Sequence, residues 1–301
     1  MVSPAVKREM GLYLIKLYEV SVRRVCQVLN FCRSMWYYES RKDDREVIEK
    51  LSELAEQLPT RGFDSYFGRI RLQGYTWNRK RVLRVYGLMK LGLRRKYKKR
   101  LSVPVQDPLE VPNAPNDTWS ADFMSDSLSD GRKIRVLNIA DDYNREALSI
   151  EAGLSITSER VIRIFEWLEE EYDLPKNLRL DNGPEFTSNR FKKWCKEKQI
   201  NLKYIQPGKP VQNAYIERFN RIFREDILDA YWFEDLEQLR MLIYQWRDDY
   251  NNRHPHKSLG GLPPRVYYEN AVNSGKVPPR KPAHDFTTIN SSMTMKTEQI
   301  I

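Results

Sequence analysis

Between residues 118 and 206, apolar and polar side chains alternate with a period of two in five short runs, which limits this part of the chain to folds built around a sheet. TWSADFMSDSL sets Trp119, Ala121 and Phe123 against Ser120, Asp122 and Met124; KIRVLNIADDYN and EALSIEAGLS follow across short polar turns. Three successive strands joined in this way predict an antiparallel meander. NLRLD (177–181) and NLKYIQ (201–206) are two further strands, now separated by the amphipathic helices SERVIRIFEWLEEEYD (158–173) and SNRFKKWCKEKQI. A meander followed by strand–helix alternation predicts an α/β domain with a mixed sheet flanked by helices. Two more helices, NAYIERFNRIFREDIL (213–228) and EDLEQLRMLIYQWRDDYNN, close it, and a polar tail over 271–301 is expected to be loosely ordered.

The front of the chain has another character. Residues 5–19 read as a helix, and Ser21 is placed to cap a second one, VRRVCQVLN, with Val22, Val25, Cys26 and Leu29 on one face. After a break at Asn30-Phe31-Cys32, RSMWYYES forms a third, so residues 1–40 fit a small all-α helix-turn-helix domain or an ordinary three-helix packing motif. Residues 41–100 repeat the theme. DDREVIEKLSELAEQL is amphipathic, with Val47, Ile48, Leu51, Leu54, Ala55 and Leu58 on one face, and Asn78 caps a later basic helix.

Charge separates the two parts. Residues 1–105 hold 24 Lys+Arg against 10 Asp+Glu, a net of +14, whereas the remaining 196 hold 27 against 31, a net of −4. Within 79–100 there are eleven cations and no acid, among them Arg79, Lys80, Arg81, Arg84, Arg94, Arg95 and Lys96. Such a one-sided run points to phosphate contact, and hence to nucleic acid, more than to a solvated helix face. Residues 101–117 contain four prolines and read as a linker. No run of about 18 apolar residues exists to cross a membrane, and the first apolar run is broken by charges, unlike a signal peptide. Cys26, Cys32 and Cys195 make neither a disulfide framework nor a four-ligand zinc site, so no zinc and a cytoplasmic location are expected.

Three acids stand where this architecture would bury them. Asp122 lies mid-strand, Asp181 ends the strand of LRLDNGPEF, and Glu217 lies on the polar stripe Asn213, Glu217, Asn220, Arg224 of helix 213–228, opposite Ile216, Phe219, Phe223 and Ile227. Taken singly, they read as a strand-edge Asp, a turn Asp and an exposed helix Glu. Asn182 and Gly183 would form the turn after Asp181, with Gly183 free to take φ > 0. Taken together, with 35 residues between Asp181 and Glu217, they form a D…D(35)E set. Carboxylates gathered in one place repel one another unless cations neutralise them, and hard oxygen donors suit Mg²⁺. Two such ions can clamp the attacking and leaving oxygens of a phosphoryl displacement.

WSADF, LRLDNGPEF and PGKPVQNAYIERFNRIFRED resemble the three catalytic motifs of the DDE recombinases, the retroviral-integrase-like transposases. The chain is similar to the downstream, OrfB-type product of two-frame bacterial insertion sequences, up to YNNRHPHKSLGGLPP at 250–264. The resemblance implies an RNase H-like catalytic core over 118–270, a mixed five-stranded sheet. It makes Asp122, Asp181 and Glu217 catalytic ligands of two Mg²⁺ ions, with Mn²⁺ as substitute. It implies that Arg224 faces DNA; Asn213, Lys209 and Arg33 are further candidate contacts. The implied partners are element-end and target DNA, further copies of the chain and an upstream-frame, OrfA-type protein; the implied place is the bacterial nucleoid. A non-catalytic DNA-binding protein and a simple RNase H-type nuclease are the alternatives. The three carboxylates argue against the first, and the two basic helical modules against the second.

Overall fold

The computed structural model describes residues 3–38, 43–93, 111–206 and 213–280. Lys209, Arg94, Arg95, Lys96, most of the proline-rich linker and the tail from 281 lie outside the described residues. The chain divides into two compact units, Met1–Glu49 and Lys50–Ile301.

In the first unit Ser3 accepts a hydrogen bond from Val6 N and caps α1 (Pro4–Tyr18), whose first residue is a proline with no N–H to satisfy. Ser21 does the same for α2 (Val22–Val28). The third helix, α3 (Arg33–Trp36), is one turn, shorter than RSMWYYES suggests. Lys7 Nζ donates to the carbonyls of Leu29 (3.0 Å) and Asn30 (3.2 Å), fastening the α2–α3 turn to α1. Gly11 is buried where α1 meets Trp36: a Cβ there would lie 2.3 Å from Trp36 Cζ3 and 2.9 Å from Val25 Cγ1.

Helix α4 (Arg45–Gln57) buries Leu51 and Leu54. In the second unit, α5 (Phe63–Leu72) and α6 (Arg79–Leu88) pack through Tyr66, Ile70, Val82, Val85 and Tyr86. Asn78 caps α6, accepting from Lys80 N at 2.8 Å. Residues 50–93 share this unit with the sheet. Charge pairs invisible to a local reading join the two parts: Arg61 pairs with Asp226 and Arg69 with Asp249.

The sheet is β1 (Thr118–Ser127), β2 (Lys133–Asp141), β3 (Ala147–Gly153), β4 (Asn177–Leu180) and β5 (Asn201–Tyr204), in the order β3-β2-β1-β4-β5. β1, β2 and β3 are antiparallel, and β4 and β5 run parallel to β1, giving the mixed RNase H-like sheet. One face buries Trp119, Ala121, Leu137, Leu178 and Leu180 under α7 (Ser158–Tyr172), the single turn α8 (Pro184–Thr187) and α9 (Asn189–Glu197). The other buries Met124, Val136, Ala140 and Ile150 under α10 (Ala214–Phe223) and α11 (Leu236–Arg253).

Two departures concern the C-terminal third. The helix expected over 213–228 is α-helical only to Phe223 and continues as a π turn, Arg224–Leu228. Order also continues past 271: α12 (Pro264–Asn273) follows α11, and Arg280 lies over the Tyr172 (5.0 Å) and Tyr268 (4.3 Å) rings. Arg280 pairs with Glu146 and lies 3.5 Å from Asp141 Oδ2, and both acids are fully buried. Burial opposes the Glu146 charge, but Arg280 and Arg265 hold its carboxyl below the ordinary value. A polar tail pattern does not reveal a buried partner 134 residues away.

Gly11 and Gly87 should therefore respond oppositely to alanine. Overpacking at Gly11 is expected to cost about 1–3 kcal/mol, more than helix propensity returns. Gly87 has nothing within 4 Å of an added Cβ and should gain about 0.5–1 kcal/mol. Amide exchange decides it: Gly11→Ala should lower protection at Val25 and Cys26, while Gly87→Ala preserves or raises protection in α6. Equal behaviour of the two variants would contradict the close approach at Gly11.

Candidate active site

The sheet alternation sends Ser120, Asp122 and Met124 to the α10 side of β1, opposite Trp119 and Ala121. On β4, Leu178 and Leu180 face the other core, which leaves Arg179 and, one step past the strand, Asp181 on the same side as Asp122. Ala121 is the parallel partner of Leu180. Asp122 and Asp181 thus leave neighbouring strands at one level, with strand axes roughly 4.8 Å apart. Helix α10 crosses this face, burying Ile216, Phe219, Ile222 and Phe223 and leaving Glu217 exposed.

Electrostatics registers the arrangement. The Asp122 carboxyl is pushed up to about 6, first by burial and next by the charge of Asp181, with Glu217 adding to the rise. Hydrogen bonds from Phe123 N (2.9 Å) and Asn220 Nδ2 (2.7 Å) oppose it. Asn220 is itself held by Asn138, fully buried on β2, whose Nδ2 donates to Asn220 Oδ1 at 2.7 Å. Among the described residues no three His, Cys, Asp or Glu side chains converge as a set that could hold a metal ion.

One expectation about LRLDNGPEF needs correcting. Gly183 has φ −59° and ψ 148°, which any residue can adopt. Its function is steric: a Cβ would sit 3.0 Å from Asp181 Oδ1 and 3.4 Å from Glu185 Oε2. Its N–H donates to Asp181 Oδ1 at 3.1 Å, and Asn182 Nδ2 donates to Ile205 O at 3.1 Å, tying the turn to the end of β5.

Beneath the carboxylates is a buried ion pair that the motifs do not announce. Arg179 Nη1 donates to Asp142 Oδ2 at 2.6 Å, and Ser120 Oγ donates to Asp142 Oδ1 at 2.7 Å. Ser120 and Arg179 are partners in the β1–β4 register, so the pair lies one repeat below Asp122 and Asp181. Glu185 pairs with Arg135, whose guanidinium lies 4.2 Å from the centroid of the Phe123 ring. An acid four residues after Asp181, beside an otherwise apolar Phe186, was the available signal.

The candidate DNA contacts are dispersed. Arg33 is exposed on α3, and Lys80 and Arg84 are exposed on α6. Arg79 donates to Asp64 at 2.7 Å and lies 5.1 Å from the Phe63 ring centroid, while Arg81 is half-buried. Asn213 is buried, and its Oδ1 has no partner among the described residues. Arg224 donates to Ser125 O at 3.0 Å and lies 3.5 Å from both Asp126 and Asp229.

Comparison with known proteins identifies the family. Two models described as integrase core domain match the chain, one over residues 112–210 and one over 198–264. The 31.7 kDa uncharacterized protein of insertion element IS407 from Burkholderia multivorans is 37% identical over 250 residues, covering 82% of this chain and 90% of its own. The 39.2 kDa uncharacterized protein of IS476 from Xanthomonas euvesicatoria is 33% identical over 270 residues, covering 89% and 78%. Transposase InsD of IS2 from Escherichia coli is 24% identical over 246 residues, covering 77% and 81%. The chain belongs to the insertion-element transposases with an integrase core domain, DNA recombinases of the polynucleotidyl transferase class.

Proposed function

We propose that Asp122, Asp181 and Glu217 are the catalytic triad of this transposase and together hold two Mg²⁺ ions, with Mn²⁺ as a substitute. The observation that carries this is the register Ala121↔Leu180, which sets Asp122 and Asp181 side by side beneath the helix bearing Glu217. The donor chemistry suits the group, since all three are hard carboxylate oxygens, and a cation would relieve the charge repulsion that, after burial, raises Asp122. When bound, the metal supplies Lewis-acid stabilisation of the phosphoryl transition state.

The chain's own residues orient that chemistry. Asn220, braced by Asn138, fixes the rotation of Asp122, and Gly183 N–H fixes Asp181. At an element end, water attacks the scissile phosphorus and the bond to the leaving 3′ oxygen breaks. The freed 3′-OH then attacks a target phosphodiester, forming one P–O bond as another breaks. DNA is gripped by phosphate contacts from Lys80 and Arg84 on α6 and, in the first unit, from the α3 region around Arg33. Further copies of the chain on DNA, and an upstream-frame protein, are the proposed partners. Among the described residues no helix is long and apolar enough to cross a membrane.

Asp122→Asn, Asp181→Asn and Glu217→Gln should each lower cleavage of element-end DNA in Mg²⁺ by at least about 100-fold. DNA affinity should stay within a factor of two. Asp122→Asn should not lower the melting temperature at neutral pH, because it removes a charge that burial and Asp181 disfavour. Mapping the nicks tests each residue in turn: near-normal cleavage by a variant would remove that residue from the triad.

Mg²⁺ should also raise the melting temperature of the wild type at pH 7–8. Burial and the charge of Asp181 push the Asp122 carboxyl up to about 6, so protons compete for its oxygens and the increment should fade as pH falls through that value. It should shrink in Asp122→Asn at every pH. A shift of the same size at pH 5 and pH 8 would place the cation elsewhere.

Salt dependence probes α6. Lys80→Ala with Arg84→Ala should reduce the slope of log K against log salt by nearly two, since each lost phosphate contact removes about 0.9. An unchanged slope would remove α6 from the DNA interface.

A further inference from the structure

We infer that Asp226 is a positioning residue for strand cleavage: it ties α10, which carries Glu217, to the helical segment 58–88 that grips DNA. The inference rests on α6 as the phosphate-binding helix.

Asp226 lies seven residues after Phe219, two turns further along the core-facing stripe of the helix, where an acid is out of place. The π turn Arg224–Leu228 occurs at this point, and π turns often mark functional sites. The side chain of Asp226 is 7% exposed, and both oxygens are engaged. Oδ1 accepts from Thr60 Oγ1 at 2.6 Å, whereas Oδ2 accepts from Trp246 Nε1 at 2.8 Å and from Arg61. One carboxylate thus joins three elements: the loop before α5, the end of α10 and the middle of α11.

Each link onward is tight. Arg69 of α5 makes a two-pronged contact with Asp249 of α11. Gly68 lies so close to Pro255 that a Cβ would come within 2.7 Å of the proline ring. From α5 to α6 the contact runs through aromatic rings, Phe63 to Tyr86 at 5.3 Å and Tyr66 to Tyr86 at 6.0 Å. Along the helical rod, Asp226 is nine residues from Glu217, about 13 Å at the rise of an α-helix. A buried charge with several donors resists rotation, because turning it away leaves Arg61 unpaired inside the protein. The α6 cations and Glu217 are thereby held in one frame, and DNA bound by the first arrives at a set distance from the second.

Four variants and the wild type test this, each read by equilibrium affinity for element-end duplex, single-turnover cleavage at saturating DNA in Mg²⁺, and melting temperature. Asp226→Asn keeps an acceptor for Thr60 or Trp246 but loses the charge facing Arg61. It should bind DNA within about two-fold of wild type and cleave at least 10-fold more slowly. Arg61→Met should match it, Arg61→Lys should recover most of the rate, and Asp226→Asn with Arg61→Met should be no slower than either alone. A general loss of structure would lower affinity and rate together and would not be rescued by lysine. If Asp226→Asn does not fold, the Arg61 variants alone decide. Wild-type cleavage in Arg61→Met, or equal loss in Arg61→Lys and Arg61→Met, would overturn the inference. Failure of the α6 reading is separable, because Lys80→Ala with Arg84→Ala would then leave affinity unchanged whatever the Asp226 and Arg61 variants do.

Discussion

The parallel pairing of β1 with β4 is the constraint on which the rest of the catalytic unit depends. A shift of one residue would turn every side chain of a strand to the opposite face. Asp122 would then enter the aromatic core of Trp119, Phe165 and Phe191, and Trp119 would face α10. The pairing is guarded from both faces. On one, Trp119, Ala121, Leu178 and Leu180 are fully buried. On the other, Arg179, Asp142 and Ser120 close a buried ionic contact that can form only when Ser120 stands opposite Arg179. Such a pair adds little net stability, since burial of both charges offsets their attraction, but it punishes a wrong alignment strongly.

The same logic places the unfavourable charges. Asp122 is disfavoured by burial and by its neighbours, while Asp142 and Glu146, more deeply buried, are each paired with an arginine. On the proposed reading, Asp122 is an acid whose charge is left for a cation to neutralise. Asn220 and Asn138 are uncharged, so they orient Asp122 without competing for that role.

Much of this was legible locally. Periods of two and of 3.6 assign faces to Asp122, Asp181 and Glu217, but it is the D…D(35)E spacing and the motif resemblance that join the three. What escaped has no local signature. Arg61 and Arg69 count as part of a basic front in any tally of charge, yet they are internal counter-ions of Asp226 and Asp249, more than 160 residues away. The glycine of the Asn-Gly pair was recognised for its backbone freedom, whereas the space it leaves beside two carboxylates is what the structure uses. The π turn at Asp226 likewise has no local signature, since apolar periodicity alone predicts an unbroken α-helix.

The strap formed by Arg280 has a consequence for the order in which the protein is made. Synthesis runs from the N-terminus, and domains generally fold as they emerge. The five strands and the three proposed catalytic acids are complete by Glu217, but the fully buried Glu146 has its nearest cation in Arg280. Until that arginine has left the ribosome, Glu146 has Arg265 and Asn144 beside it but not its nearest cation. A chain cut before residue 280 therefore keeps its five strands but leaves Glu146 with one of its two cations.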